Sequence, residues 1–481
     1  MSKVKKSDVV FYIILGCIFL LGVVIRCKTY FLSRSLWLDE ACLALNLLDI
    51  PLFKSFYNYD YNQFAPPIFM FTTRLLTIIK GSYSELVLRL IPFVCSLLSI
   101  FVFYVFSKQF LKNRFSILLV NFIFAINYYI CYYSQEFKPY ASDVLMFMIS
   151  LLFFAKMNLY KLDRWRIFGV IGFCFLAVNI SLPTLFVIGA WCIYSLLKFK
   201  KEGLKNVLIF FIPFTIIFVL YYFLYLAPAR VVELDEFWKE FFLGFNLIKD
   251  LMIFKSNLYY YFTPNKLILF LMLLVTSGFY ILLKSEDKLE KLTSFAVLLS
   301  LVASILKIYP SYERLSLFII PVVIIMLVKP FDITKNIVLK SIILFFVILS
   351  LVYYNNKFIK KYFSNSIFGK SGSHQVISYV KEHYQPEDII VYNKASSAEY
   401  LFYTKTLDFI PNKYIVTNLP SYEKELYFKN LSFLESGSYI FIVTYDYVRM
   451  PIREFLMEWL QDKNIVWTYK KNESFCIKVK L

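Results

Sequence analysis

Histidine is nearly absent: two residues, His374 and His383, in a chain of 481. They offer no paired-ligand spacing, and the eight cysteines contain no CxxC, so nothing in the spacing demands a metal. Six of those cysteines (Cys17, Cys27, Cys95, Cys131, Cys174, Cys192) lie in or beside apolar runs and read as small buried hydrophobes. There is no GxGxxG. Gly369-Lys370-Ser371 mimics the end of a phosphate loop, but Ser364 stands where that loop needs glycine and no strand precedes it, which excludes a nucleotide site. Acid is also short, with 33 Asp and Glu against 52 Lys and Arg, and charged residues of either sign make up only 18% of the chain.

Apolar residues fill the space left: 59% hydrophobic, 20% aromatic, with a mean hydropathy of +0.62. Repeated apolar runs of about 20 residues are the signature of membrane spans. The net charge of +19 would suggest nucleic acid in a soluble protein. Here the charges sit in short clusters between apolar runs, where topology and anionic lipid account for them, and no nucleic-acid partner is expected. Lys3, Lys5 and Lys6 before Val9–Ile25 imitate a signal peptide, but no small-residue cleavage site follows, so an uncleaved first span is expected.

Spans are expected at 8–28, 85–107, 115–133, 139–157, 166–182, 184–198, 206–226, 265–284, 292–308, 314–329 and 336–354. The stretch 166–198 reads either as two short spans broken near Asn179–Pro183 or as one long bent one. With these spans, Lys3/Lys5/Lys6, Lys108/Lys112/Arg114, Lys156/Lys161/Arg164/Arg166, Lys198/Lys200/Lys201/Lys205, Lys284/Lys288/Lys291 and Lys329/Lys335 all fall on one side, the cytoplasm. The opposite face holds the loop 29–84, the turn Tyr132–Tyr140, the loop 227–264, the turn Ile308–Arg314 and the tail. Within 29–84, Asp39–Asp49 and 66–80 have helical periodicity and read as interfacial helices. From Ser373 helix-like and strand-like segments alternate, an α/β pattern. The expected fold class is an all-α polytopic membrane protein of about eleven transmembrane helices with a C-terminal α/β extracytoplasmic domain. It divides into a transmembrane catalytic domain 1–354, a linker 355–372 and the outer domain 373–481, in an inner membrane with the N-terminus cytoplasmic.

Three outward clusters carry the chemistry. Trp37-Leu38-Asp39-Glu40 places two carboxylates where lipid does not tolerate them. Taken alone, they read as a helix-capping pair beside an interfacial tryptophan. Tyr132-Tyr133-Ser134-Gln135-Glu136-Phe137-Lys138-Pro139-Tyr140 is more polar than a short turn needs, though Lys138 could simply snorkel beside Glu136. Tyr309-Pro310-Ser311-Tyr312-Glu313-Arg314 ends on a cation where positive charge is unexpected. It reads as an interfacial anchor or as a clamp for phosphate oxygens; Arg34 and Arg74 are weaker candidates of that kind. Carboxylates plus cations suit transfer of a sugar from a lipid phosphate: a base takes the acceptor's proton and a cation holds the leaving phosphate. Asp39 and Glu136 are expected to face one outward cavity.

Trp37-Leu38-Asp39-Glu40-Ala41 resembles the acidic motif of the GT-C glycosyltransferases. The likeness is to the bacterial family 39-like branch related to protein O-mannosyltransferases and the lipid A aminoarabinose transferase. Ala65-Pro66-Pro67-Ile68-Phe69 is similar to that branch's PPLY segment. Ser84-Glu85 with Arg89 and Pro92 is similar to the start of its second span, and Tyr133–Ala141 to its YSQEARPYAL turn. Tyr312-Glu313-Arg314 with Pro321 is similar to its late RY…P span. The resemblance implies a polyprenyl-phosphate sugar donor and an inverting transfer. It makes Asp39 the base, with Glu40 and Glu136 supporting it, and gives the donor phosphate to Lys138 and Arg314. Trp37, Arg74, Gln135, Tyr140 and Tyr312 complete the expected binding set. No ATP is required, no cofactor is assigned, and a divalent cation is left open. The acceptor is a glycan, lipid or protein that the loops 227–264 and 373–481 choose. The chain departs from the branch at Gln63-Phe64-Ala65, where many relatives carry histidine, at Lys138 for arginine, and at Leu315 for tyrosine. The competing expectations are a lipid-linked sugar flippase or transporter, a polymer ligase of the cell envelope, and a scaffold in which Asp39 and Glu136 lie far apart.

Overall fold

The computed structural model describes residues 6–48, 50–56, 59–198, 204–227, 237–244, 246–262, 268–338, 340–341, 345, 371–394, 397–417, 424–443, 452–472 and 474–481. Most of them are helical. In order these are α1 (Lys6–Phe31), α2 (Leu38–Leu45), α3 (Pro67–Lys80), α4 (Glu85–Leu88), α5 (Leu90–Phe110), α6 (Arg114–Ile126), α7 (Tyr128–Tyr133), α8 (Tyr140–Lys156), α9 (Arg164–Ile180), α10 (Thr184–Leu197) and α11 (Leu204–Tyr221). Leu247–Phe262, Ile268–Lys284, Lys288–Ile305 and Ile320–Ile333 follow. Among the described residues α1, α5 and Leu204–Tyr225 are long and apolar enough to cross a bilayer, and α6, α10 and Leu269–Lys284 are shorter apolar helices. On α1 the side chains of Tyr12, Ile13 and Leu20 point outward and exposed, as lipid-facing residues do, while Phe11, Leu15 and Ile18 pack inward.

Several expected boundaries move. The run 115–133 is two helices, because the Asn127 side chain accepts from the Ile130 amide and starts α7 afresh. Of the two readings for 166–198 the structure adopts two helices, parted at Ser181–Pro183. The span expected from Arg314 starts later. Glu313–Ser316 is turn, a 3-10 turn follows at Leu317–Ile319, and the helix begins at Ile320 with Pro321 in its first turn, where proline's missing N–H is harmless. Lys329 is no surface anchor: it is buried within that helix, 2.6 Å from Glu290 of Lys288–Ile305. Most of the expected span 336–354 and linker 355–372 lie outside the described residues.

The tail forms a five-stranded sheet of order β2-β1-β3-β5-β4, where β1 is Ile389–Asn393, β2 Lys413–Thr417, β3 Ser438–Val443, β4 Asn464–Lys471 and β5 Ser474–Lys480. β1 runs parallel to β2 and β3, while β5 is antiparallel to β3 and β4. The period of two sorts its faces. Val391, Phe441, Val443, Phe475 and Ile477 join one core, whereas Ile390, Tyr392, Ile440, Ile442 and Cys476 join another. The second core does not stop at the sheet. It continues through Val376 and Ile377 to Leu36, Ala41, Leu43 and Ala44 of the first loop, and to Phe69 and Phe137. The short helix that carries the acidic pair is therefore packed from the far end of the chain.

Candidate active site

Asp39 and Glu40 occupy the first turn of α2, where the helix dipole favours acid. Neighbours on a helix are about 100° apart, so the two carboxylates face different surroundings. Glu40 points inward and is fully buried. Arg89 donates to both its oxygens, from Nε to Oε1 at 2.8 Å and from Nη2 to Oε2 at 2.7 Å. Arg34 Nη1 lies 3.1 Å from Oε2, and the Phe137 amide donates to Oε1 at 2.6 Å. Burial alone would raise the pKa of Glu40, but the two arginines and that amide hold it below the ordinary carboxylate range. Arg34 reaches on to Glu136, Nη2 to Oε1 at 3.3 Å. Burial pushes Glu136 up to about 7, against the pull of Arg34 and with the push of Glu40.

Asp39 points the other way. Its Oδ2 pairs with Arg314 Nη1 at 2.8 Å, and its side chain stays a quarter exposed. The Arg314 guanidinium also lies over two indoles, 5.6 Å from the Trp37 ring centre and 5.9 Å from that of Trp238. Both residues border a cavity of about 540 Å³. Leu38, Asp39 and Cys42 of α2 form one wall. The loop Tyr61–Phe64 with Pro66, the turn Lys138–Tyr140, and Asp143 of α8 form others. Leu182 and Pro183 at the α9–α10 break, Phe237 and Trp238, and Tyr309, Pro310, Arg314 and Leu315 close it. Tyr61 and Asn62 both hold left-handed backbone, with φ of 63° and 52°. For tyrosine that conformation is strained, and it turns the loop into the cavity rim. Lys138 donates from Nζ to Gln63 Oε1 at 2.5 Å. Burial lowers the pKa of Lys138, an effect that Asp39 opposes.

Of the residues expected to act together, Asp39, Lys138, Tyr140 and Arg314 do border one cavity. Glu40, Gln135 and Glu136 do not. They are buried outside its lining, Glu40 paired with Arg34 and Arg89 and Glu136 with Arg34, so the expected sharing of one cavity by Asp39 and Glu136 is corrected. Trp37 stacks beneath Arg314 without bordering the cavity. Arg74 is elsewhere, binding the Ile50 carbonyl and the Tyr83 hydroxyl. Tyr312 packs on Trp238 and Phe241, outside the lining. Gln63, Asp143 and Trp238 border the cavity but were not read from the sequence as site residues. Asp143 did carry a signal, as an acid one turn inside an apolar helix. Among the described residues no three His, Cys, Asp or Glu side chains gather as metal ligands.

No family model matches the sequence, and no curated protein does either. Solved structures do match, and the first described below bears out the resemblance to GT-C glycosyltransferases at the level of fold. One is the oligosaccharyltransferase of Archaeoglobus fulgidus in the apo form, with a TM-score of 0.50 and 12% identity over 83% of this chain and 64% of that one. Another is ArnT of Cupriavidus metallidurans, with a TM-score of 0.49. Its apo structure is 9% identical over 95% of this chain and 97% of that one, and its complex with undecaprenyl phosphate is 11% identical over the same shares.

Proposed function

We propose that this chain is a membrane glycosyltransferase that moves a sugar from a polyprenyl phosphate to an acceptor hydroxyl at the outer face of the cytoplasmic membrane, with inversion. The observation that carries the reading is the meeting of Asp39, Lys138 and Arg314 in one cavity set among apolar helices. The acceptor O–H breaks as its oxygen bonds to the anomeric carbon, and the Asp39 carboxylate takes the proton. The bond from that carbon to the phosphate oxygen breaks in the same step. Its electron pair stays on the phosphate, whose growing charge Lys138 and Arg314 offset. Glu40, Arg34, Arg89 and Glu136 do not touch the reactants. They fix the first turn of α2 and so aim Asp39. Phe237 and Trp238 bring the loop 227–264 to the cavity, in keeping with a part in acceptor choice.

The test is transfer of labelled sugar from a polyprenyl phosphate by wild type and Asp39→Asn. Loss of at least about 100-fold in the variant is expected, since the amide keeps the shape and cannot take the proton. Full activity in Asp39→Asn ends this mechanism.

A further inference from the structure

One buried carboxylate of the cavity region has an oxygen without a partner. Asp143 borders the cavity and is only 7% exposed, and its Oδ1 meets no hydrogen-bond donor. Ser181 is fully buried next to the cavity residues Leu182 and Pro183, and its hydroxyl faces the Asp143 carboxyl as a hydrogen-bonding neighbour. Among the described residues no cation pairs with Asp143: Arg314 is held by Asp39, and Lys138 donates to Gln63. Native structures rarely leave buried acceptors unused, so such a group bordering a cavity points to a ligand.

Charge says which part of the ligand. A phosphate is attracted to Lys138 and Arg314, whereas Asp143 offers it no cation. Asp143 sits one turn further along α8 than Tyr140, about 4.5 Å away from the turn that carries Lys138. What faces it must donate hydrogen bonds and carry no negative charge. Resting on the donor reading above, we propose that Asp143, positioned by Ser181 behind it, forms the subsite for the hydrogen-bond-donating edge of the transferred sugar, and so selects the sugar. Ring hydroxyls, or an amino group, supply the same chemistry to Asp143, and Ser181 can donate as well as accept.

The experiment titrates the full chain in nanodiscs with three probes: bare polyprenyl phosphate, the same lipid phosphate bearing glucose, and one bearing glucosamine. Wild type should bind at least one sugar-bearing lipid about tenfold more tightly than the bare lipid, the usual scale for hydrogen bonds to a charged group. Asp143→Ala should abolish that preference while bare-lipid affinity stays within about twofold, which also reports a folded site. Ser181→Ala should weaken the preference in the same direction. Asp143→Asn separates the donors: a preference kept for glucose indicates hydroxyls, and one lost for glucosamine indicates an ammonium. The subsite is overturned if wild type shows no preference, if the preference survives Asp143→Ala, or if that variant weakens all three probes alike. Wild type that binds none of the probes overturns the lipid-phosphate reading as well. Intact bare-lipid binding without a preference overturns the subsite alone.

Discussion

At the scale of single residues, the four charges behind the cavity behave as a unit with one odd member. Glu136 keeps its proton in the folded chain to about pH 7, while an unfolded glutamate gives it up near 4.5. Its folded pKa is raised, so its stabilising share is full below 4.5 and lost as pH climbs to about 7. Wild type should therefore lose thermal stability relative to Glu136→Gln across that interval, with a constant difference above it. Melting curves in detergent across this range check the sign, and a difference that widens in the opposite direction refutes it. Sequence reasoning grouped Asp39, Lys138 and Arg314, which border one cavity, because each is a charge where an apolar chain has no use for one. It did not foresee that Glu40 and Glu136 lie behind that cavity, because nothing local tells a carboxylate that faces a cavity from one that faces arginines. Arg89, brought in from 49 positions away, decides the matter for Glu40.

Among the elements, helix packing turns on a missing side chain. A Cβ at Gly278 would collide with the Met326 backbone, so Ile268–Lys284 and Ile320–Ile333 approach closely only because residue 278 is glycine. A Cβ at Gly172 in α9 would meet nothing within 4 Å. Gly278→Ala is expected to destabilise by about 1–3 kcal/mol through overpacking. Gly172→Ala should be neutral or stabilising by up to about 1 kcal/mol from helix propensity. Thermal melts of the two variants side by side test the contrast, and equal effects would remove the packing argument. Apolar periodicity located most helices, because long runs of leucine, isoleucine and phenylalanine have few other meanings. The breaks were harder. Asn127 stops a helix by capping the next one, and Arg314 lies ahead of its helix because Pro321 sets the start. The edge strand β2 was missed altogether, since Lys413–Thr417 is short, mostly exposed and lacks a buried alternation.

For the whole molecule, the contact that matters joins the tail to the segment leading into α2. The Tyr403 hydroxyl accepts from the Leu36 amide at 2.6 Å and donates to Glu85 Oε1 at 2.9 Å. His374 Nδ1 lies 3.0 Å from the same oxygen, its ring stacked on Tyr403, and its backbone amide donates to Ser35 Oγ at 3.1 Å. The hydrogen bond that His374 donates to Glu85 raises the pKa of His374 above 6.5. Glu85 is buried, which alone would raise its own pKa, but His374 draws it below 4.5. The histidine's share of the docking is full below 6.5 and lost as pH rises through its raised value. The glutamate's share is full above 4.5 and lost as pH falls through its lowered value. Docking is thus firmest between the two. His374→Phe, which keeps a ring against Tyr403, should flatten the alkaline decline. Tyr403→Phe should loosen residues 34–40 at every pH without unfolding the sheet. Hydrogen exchange of the Leu36 amide, corrected for intrinsic rate, reads both effects, and unchanged protection in Tyr403→Phe would refute the docking role. An α/β tail could be read from its alternation, but its grip on α2 could not, because those partners are 367 positions apart. That separation also sets a schedule. At about 5–20 residues per second, synthesis reaches Tyr403 roughly 20–70 s after it has added Leu36. Until then α2 lacks the part of its apolar bed that the tail supplies, so a nascent or truncated chain cannot yet hold Asp39 as the finished chain does.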